Sequence, residues 1–163
     1  MPLGGLITLA ILLPNILMLV MPPREVPSEI PQKDTRYRIM SIVEWIGRLA
    51  VLVIPFFYNL PVLRETSVDA LAVMVLALGF YYSAWVRYAS KGHRFVLLYA
   101  PFLSIPLPMA VAPVVYFAAA AVFLGSWLLA AAVVIFAVGH FYMSAIEKNR
   151  VPVLANSSLV SSR

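Results

Sequence analysis

Residues 43–48 read VEWIGR. Glu44 and Arg48 stand four residues apart with the acid first, the order that favours an ion pair on one helix face. The run that follows, LAVLVIPFF, carries no charge. Ionisable groups inside a bilayer are costly and point by default to a site. Such a pair could neutralise an anionic group through Arg48 while Glu44 orients the guanidinium. Each residue also has a plainer role. SIVE fits a capping box, with Ser41 as N-cap and Glu44 reaching back to its N–H. Arg48 could carry its charge to the interface on its long stem.

His140 lies in FAVGHFYMS, with Ser144 and Glu147 on the same helix face. Its near-neutral pKa range suits proton exchange, and hydrogen-bonded packing is the alternative. Gly139 beside it allows a second helix or a ligand to come close. Tyr81, Trp85 and Tyr88 share one face by their spacing. Tyr88 fits an interfacial aromatic belt, whereas Tyr81 and Trp85 fall deeper and suit a pocket wall. Asn15 follows Pro14; proline frees a carbonyl one turn back, and Asn can answer such groups or bridge helices. A metal site is not expected, since the other histidine, His93, sits in a basic loop and no ligand spacing is present. No cofactor is implied. There is no Gly-rich phosphate loop, no HExxH, no G-x-S-x-G and no Asp-rich diphosphate motif.

The elements that must position these residues are membrane helices. Of 163 residues, 63% are hydrophobic and 12% charged, against about 45–50% and about 25% in soluble domains. The basic residues cluster in short loops, so the net charge of +5 reads as topology and not as a nucleic-acid footprint. No cysteine is present, which removes disulfides and thiolates. The first apolar stretch lacks a basic start and a small-residue cleavage pattern, so it reads as a retained helix.

Five stretches meet the requirement of about 20 apolar residues for a span: roughly 3–21, 41–63, 69–89, 106–125 and 127–147. The expected fold is an all-α transmembrane five-helix bundle forming a single domain over 1–150. Residues 94–105 are too short to span and read as an interfacial or re-entrant helix, the alternative being one long, Pro-broken fourth helix. Pro106 and Pro108 suit a helix start, and Pro14, Pro55 and Pro113 a kink. TSVD fits a cap before the third span, and Asn59 an end to the second. Residues 151–163 form a tail, whose Ser-rich ANSSLVSSR resembles a linker left after tag removal. Arg24, Lys33, Arg36 and Arg38 follow the first span, and Arg87, Lys91 and Arg94 follow the third. Lys148 and Arg150 follow the fifth, while only Arg64 follows the second. The positive-inside rule then places the N-terminus out and the C-terminus in, at an inner (plasma) membrane.

Depth along these helices, at about 1.5 Å per residue, puts Asn15, Glu44, Arg48, Tyr81, Trp85 and His140 in one layer of the cytoplasmic half. The expectation is a small polar pocket lined by those six residues. It would bind a small or amphipathic ligand with anionic character, as a carrier or binding protein. Two alternatives stand beside it. One is a membrane enzyme for a lipid-soluble substrate, with Glu44 and His140 as acid and base. The other is a structural or assembly subunit. Membrane lipids are the implied partners. Homo-oligomerisation is compatible with the short loops but not specified by them.

The combination of LLPN, VEWIGR, NLP and FAVGHFYMS resembles a group of small bacterial integral membrane proteins of uncharacterised function. The resemblance runs through most of residues 5–148 and rests on Pro14, Asn15, Glu44, Gly47, Arg48, Asn59, Pro61, Gly139 and His140. It implies a compact five-helix prokaryotic membrane protein and supplies no activity.

Overall fold

The computed structural model describes residues 3–27, 34–61 and 65–160; the side chains of 65–66 and 151–160 lie outside that description. Among the described residues there is helix and no strand beyond two isolated bridges. The elements are α1 (Gly5–Val20), α2 (Thr35–Phe57), α3 (Glu65–Ser90), α4 (Val96–Tyr99), α5 (Pro108–Leu124) and α6 (Trp127–Val160). Three stretches are long and apolar enough to cross a membrane: Thr35–Phe57, Ser67–Ser90 and Trp127–Arg150. Gly5–Val20 and Pro108–Leu124 are apolar but shorter.

Prolines shape these helices. Pro14 has no N–H for the carbonyl of Ala10, and α1 tightens into a 3-10 turn over Leu13–Asn15 before resuming. The Tyr82 hydroxyl donates to that Ala10 carbonyl at 2.9 Å. Tyr82 therefore answers the freed carbonyl, because α3 runs close enough to deliver a phenol, and Asn15 instead bridges helices by accepting from the Tyr81 hydroxyl. Pro55 turns the end of α2 into 3-10 form, and the helix stops at Phe57. Asn59 lies exposed beyond that end. Pro108 opens α5 at its first turn, and Pro113 lies within that helix.

The start of α2 corrects the expected Ser41 cap. Asp34 is the N-cap, and its carboxylate accepts from the Tyr37 amide at 2.7 Å. Asp is among the strongest N-caps and the residues after it tolerate helix. Ser41 is thus almost two turns inside, where its amide is already bonded in the helix and Glu44 has no orphan N–H to reach. α3 begins at Glu65, one residue ahead of Thr66, whose expected capping side chain lies outside the described residues. Residues 94–105 hold a separate single turn, α4, followed by irregular chain with left-handed backbone at Leu103, Ser104 and Leu107. Residues 151–160, expected as part of a tail, continue α6 to Val160, and 161–163 lie outside the described residues.

α2 packs on α6, α6 on α5, and α5 on α3. Between α5 and α6, Gly125 is left-handed (φ 62°) and Ser126 Oγ accepts from the Leu129 amide at 3.1 Å. That tight turn sets the two helices side by side, and buried Ala119, Ala120 and Ala121 let them approach. α1 closes the gap between α2 and α3. It meets α2 through Gly4 N–H to the Tyr58 carbonyl (3.0 Å) and Thr8 Oγ1 to the Leu52 carbonyl (2.9 Å). Phenols of α3 and α5 reach its carbonyls as well: Tyr116 donates to Ile7 and Tyr88 to Met21, both at 2.8 Å.

Tyr88 is fully buried, which overturns its expected place in an interfacial belt. The Met21 carbonyl at the end of α1 gives its hydroxyl a partner inside the protein, so it has no need of headgroup water. Large apolar side chains such as Leu9, Ile42, Ile46, Leu76 and Val134 point outward instead. Contiguous exposure of that kind is rare on soluble monomers.

The segments after α1 and α3 meet at one end. The Arg24 amide donates to the His93 carbonyl (2.8 Å), and the Phe95 amide donates to the Arg24 carbonyl (2.9 Å). Arg94 pairs with Glu25 at 2.9 Å, and Arg150 of α6 donates to the Pro27 carbonyl at 3.0 Å. Arg36 of α2 stacks over the Tyr142 ring of α6, 5.5 Å from its centre. Of the basic residues used to orient the chain, Lys33 and Arg64 lie outside the described residues.

Candidate functional site

The site begins at the crossing of α2 and α6. A Cβ on Gly47 would run into the backbone of Phe136, and a Cβ on Gly139 into the backbone of Glu44. Each helix thus lacks a side chain where the other's backbone passes. The close approach brings Glu44 against His140. His140 Nδ1 lies 2.8 Å from Glu44 Oε1, and Arg48, one turn along α2, donates to that same oxygen. The side chains of Glu44 and His140 are 12% and 15% exposed, that of Arg48 42%. Arg48 also covers the Trp45 ring, 5.8 Å from its centre, and the His140 ring stacks on Phe136 at 4.6 Å.

This arrangement sets the chemistry of the imidazole. With Glu44 ionised beside Arg48, Nδ1 carries the proton and donates to the carboxylate. Nε2 is then the basic atom, and it is buried with no hydrogen-bond partner among the described residues. A carboxylate holding one ring nitrogen fixes the tautomer.

A cavity of about 510 Å³ lies beside this cluster, inside the range of about 300–1,000 Å³ usual for small-molecule sites. Five of the six expected pocket residues line it: Asn15, Arg48, Tyr81, Trp85 and His140. Glu44 is absent from the wall. It stands behind, holding the two wall residues Arg48 and His140. On the α1–α3 side Tyr81 donates to Asn15 Oδ1 at 2.7 Å. The Trp85 indole sits edge-on to Tyr81, 6.1 Å between ring centres. Its N–H is buried close to the Tyr81 phenol without a hydrogen bond of normal geometry. The rest of the wall is largely apolar, with Ile11, Val51, Leu98, Met109 and Phe117.

Ser144, Leu98 and Tyr99 are among the wall residues outside the six. Ser144 follows His140 by one turn and lines the cavity, although neither ring nitrogen bonds to it. Leu98 and Tyr99 come from α4, a segment that its short length, together with Arg94 and Tyr99, assigned to the cytoplasmic interface or a re-entrant turn. Burial, reinforced by Glu147, pushes the Tyr99 phenol up to about 12, so it stays neutral at physiological pH. The aromatic in LLYAPF was the one available signal for its position.

The arrangement offers a paired charge, a bare imidazole nitrogen and an indole donor on an otherwise apolar wall. Such a surface can hold a polar head attached to an apolar body. Compared with family models, curated proteins and solved structures, the chain matches none.

Proposed function

We propose that this chain is a multi-pass protein of a bacterial inner membrane whose five apolar helices surround a binding site for a small amphipathic ligand. The N-terminus would be outside and the C-terminus inside. The outward apolar faces support the membrane setting. The shared basic end formed by Arg24, Arg94 and Arg150 supports the orientation. One observation carries the functional reading: Arg48, Trp85 and His140, from three helices, share one largely apolar cavity, two of them with buried nitrogens lacking partners. Buried polar groups are nearly always satisfied, so such atoms call for a partner that a bound ligand or water can supply. Native mass spectrometry of protein extracted in mild detergent tests this. A discrete amphiphile should stay bound to the native chain and be lost from Arg48→Met with folding retained. If Arg48→Met abolishes folding and nothing co-purifies with the native chain, the Glu44–Arg48–His140 cluster is a staple of an assembly subunit instead.

The Glu44–His140 contact favours a second reading, a membrane enzyme acting on a lipid-soluble substrate. A histidine with Nδ1 tied to a carboxylate and Nε2 uncommitted is arranged as a general base. Conversion of the co-purified species by the native chain, and not by His140→Asn, would select it.

A further inference from the structure

Resting on that pocket reading, we propose that the ligand is a single-chain monocarboxylic acid and that its carboxyl proton resides on His140 Nε2 in the complex. Charge comes first. Glu44 and Arg48 cancel, and Glu44 lies behind the wall, so a cationic head would meet Arg48 and an indole N–H with no uncommitted anion on the wall. A fixed anion without a proton would leave the site one negative charge in excess. A carboxylic acid resolves both problems. Its proton passes to Nε2, the O–H bond breaks as the N–H bond forms, and the products are a carboxylate and an imidazolium. Glu44 and the ligand are then negative, Arg48 and His140 positive, and the cluster stays neutral.

Hydrogen bonding leads to the same class. Among the described residues, the buried wall-residue nitrogens without a partner are one acceptor, His140 Nε2, and one donor, Trp85 Nε1, beside the guanidinium of Arg48, and the hydroxyls of Ser144 and Tyr99 lie on the same wall. A carboxyl group supplies a proton for the first and two oxygens for the others. An alcohol has one oxygen and no charge to offer. A planar guanidinium and a carboxylate also match in geometry. Besides Arg48 on α2, the titratable wall residues are the phenols Tyr81 on α3 and Tyr99 on α4, with Glu44 behind the wall. Glu147, two turns beyond His140 on α6, lies near enough to act on Tyr99 and is paired with Arg150.

Size sets the chain number. At roughly 30 Å³ per water-sized unit, a cavity of about 510 Å³ has room for on the order of seventeen non-hydrogen atoms. That accommodates one medium-length alkyl chain with its head, whereas a two-chain lipid would have to leave most of its atoms outside.

The test uses decanoate, decanol and decyltrimethylammonium with the full chain in dodecyl maltoside. The chain holds two histidines, so selective ¹⁵N-histidine labelling yields a short, assignable spectrum. At pH 7.5 decanoate should bind at least tenfold tighter than decanol and move the His140 nitrogens to the imidazolium pattern while His93 stays put. Where the ligand-free imidazole is neutral, decanoate affinity should fall by up to tenfold per pH unit. His140→Asn keeps an amide N–H for Glu44 and removes Nε2. It should cut the preference for decanoate over decanol to under threefold and abolish the pH dependence. Equal binding of decanoate and decanol with the His140 signals unmoved overturns the carboxylic-acid assignment and leaves the amphiphile pocket standing. Failure of all three probes to bind overturns the pocket reading as well.

Discussion

Replacing Gly139 by alanine adds one methyl group and touches no polar atom, yet it should disturb the whole cluster. The added Cβ would stand 2.8 Å from Glu44 Cβ and closer still to the Glu44 backbone. Carbon atoms pack at about 3.5–4.0 Å, so α2 and α6 must part by about 1 Å. Backbone cannot yield as a flexible side chain does, and overpacking of this kind costs about 1–3 kcal/mol. Gly47→Ala should cost a similar amount, since its Cβ would stand 2.9 Å from the Ile135 carbonyl carbon and closer to Phe136. The two sites share one crossing, so the double variant should cost less than the sum. Gly79 provides the control. It is exposed on α3 with nothing within 4 Å of a new Cβ, so Gly79→Ala should be neutral or stabilising by up to about 1 kcal/mol. Unfolding in mixed dodecyl maltoside and dodecyl sulfate micelles measures all four. In the same samples the His140 nitrogen signals of Gly139→Ala should report a weakened bond to Glu44. If Gly139→Ala is as well tolerated as Gly79→Ala, the close crossing of α2 and α6 is wrong, and so is the geometry built on it.

The remaining tests use the same unfolding assay. Glu44→Gln removes the charge from an oxygen that serves both Arg48 and His140. Exchanging charge-assisted for neutral hydrogen bonds should cost about 1–2 kcal/mol, and less in an Arg48→Met background. Ser126→Ala removes the cap on the Leu129 amide and should cost about 0.5–2 kcal/mol. Tyr82→Phe strands the Ala10 carbonyl and should cost about 0.6–1.7 kcal/mol, the span measured for hydrogen bonds between membrane helices. Pro14→Ala restores an N–H for that carbonyl, so Tyr82→Phe should cost little in that background. An equal cost in both would show that the phenol does not compensate for the proline.

Depth counting from the sequence placed Asn15, Glu44, Arg48, Tyr81, Trp85 and His140 in one layer; five of the six line one cavity, and Glu44 does not. Depth is readable from sequence because helical rise is constant and apolar runs are long. Periodicity also put Tyr81, Trp85 and Tyr88 on one face. It could not tell that Tyr88 is buried, because what satisfies its hydroxyl is a carbonyl 67 residues away. The same limit hid Tyr82. Pro14 announces an orphan carbonyl, but its donor comes from 72 residues along the chain. The Ser41 box failed for a different reason. Its pattern is short and recurs by chance, and Asp34, seven residues earlier, satisfies the helix start first.

The partner of Glu44 was the least legible feature, and packing explains why. Glu44 and His140 are 96 residues apart, and neither helix alone carries a mark of the other. What joins them is a rule about backbones. Two helices come closest where both lack side chains, and on α2 and α6 those places are Gly47 and Gly139, each facing the other helix's backbone. Glu44 is the residue Gly139 touches, and His140 is the next residue after Gly139. The acid and the imidazole are therefore neighbours because the glycines are. It follows that the contact between Glu44 and His140, and with it the tautomer of the imidazole, is set by two residues with no side chain. A survey of polar positions would miss both, whereas a methyl group at either should change how the site holds a proton.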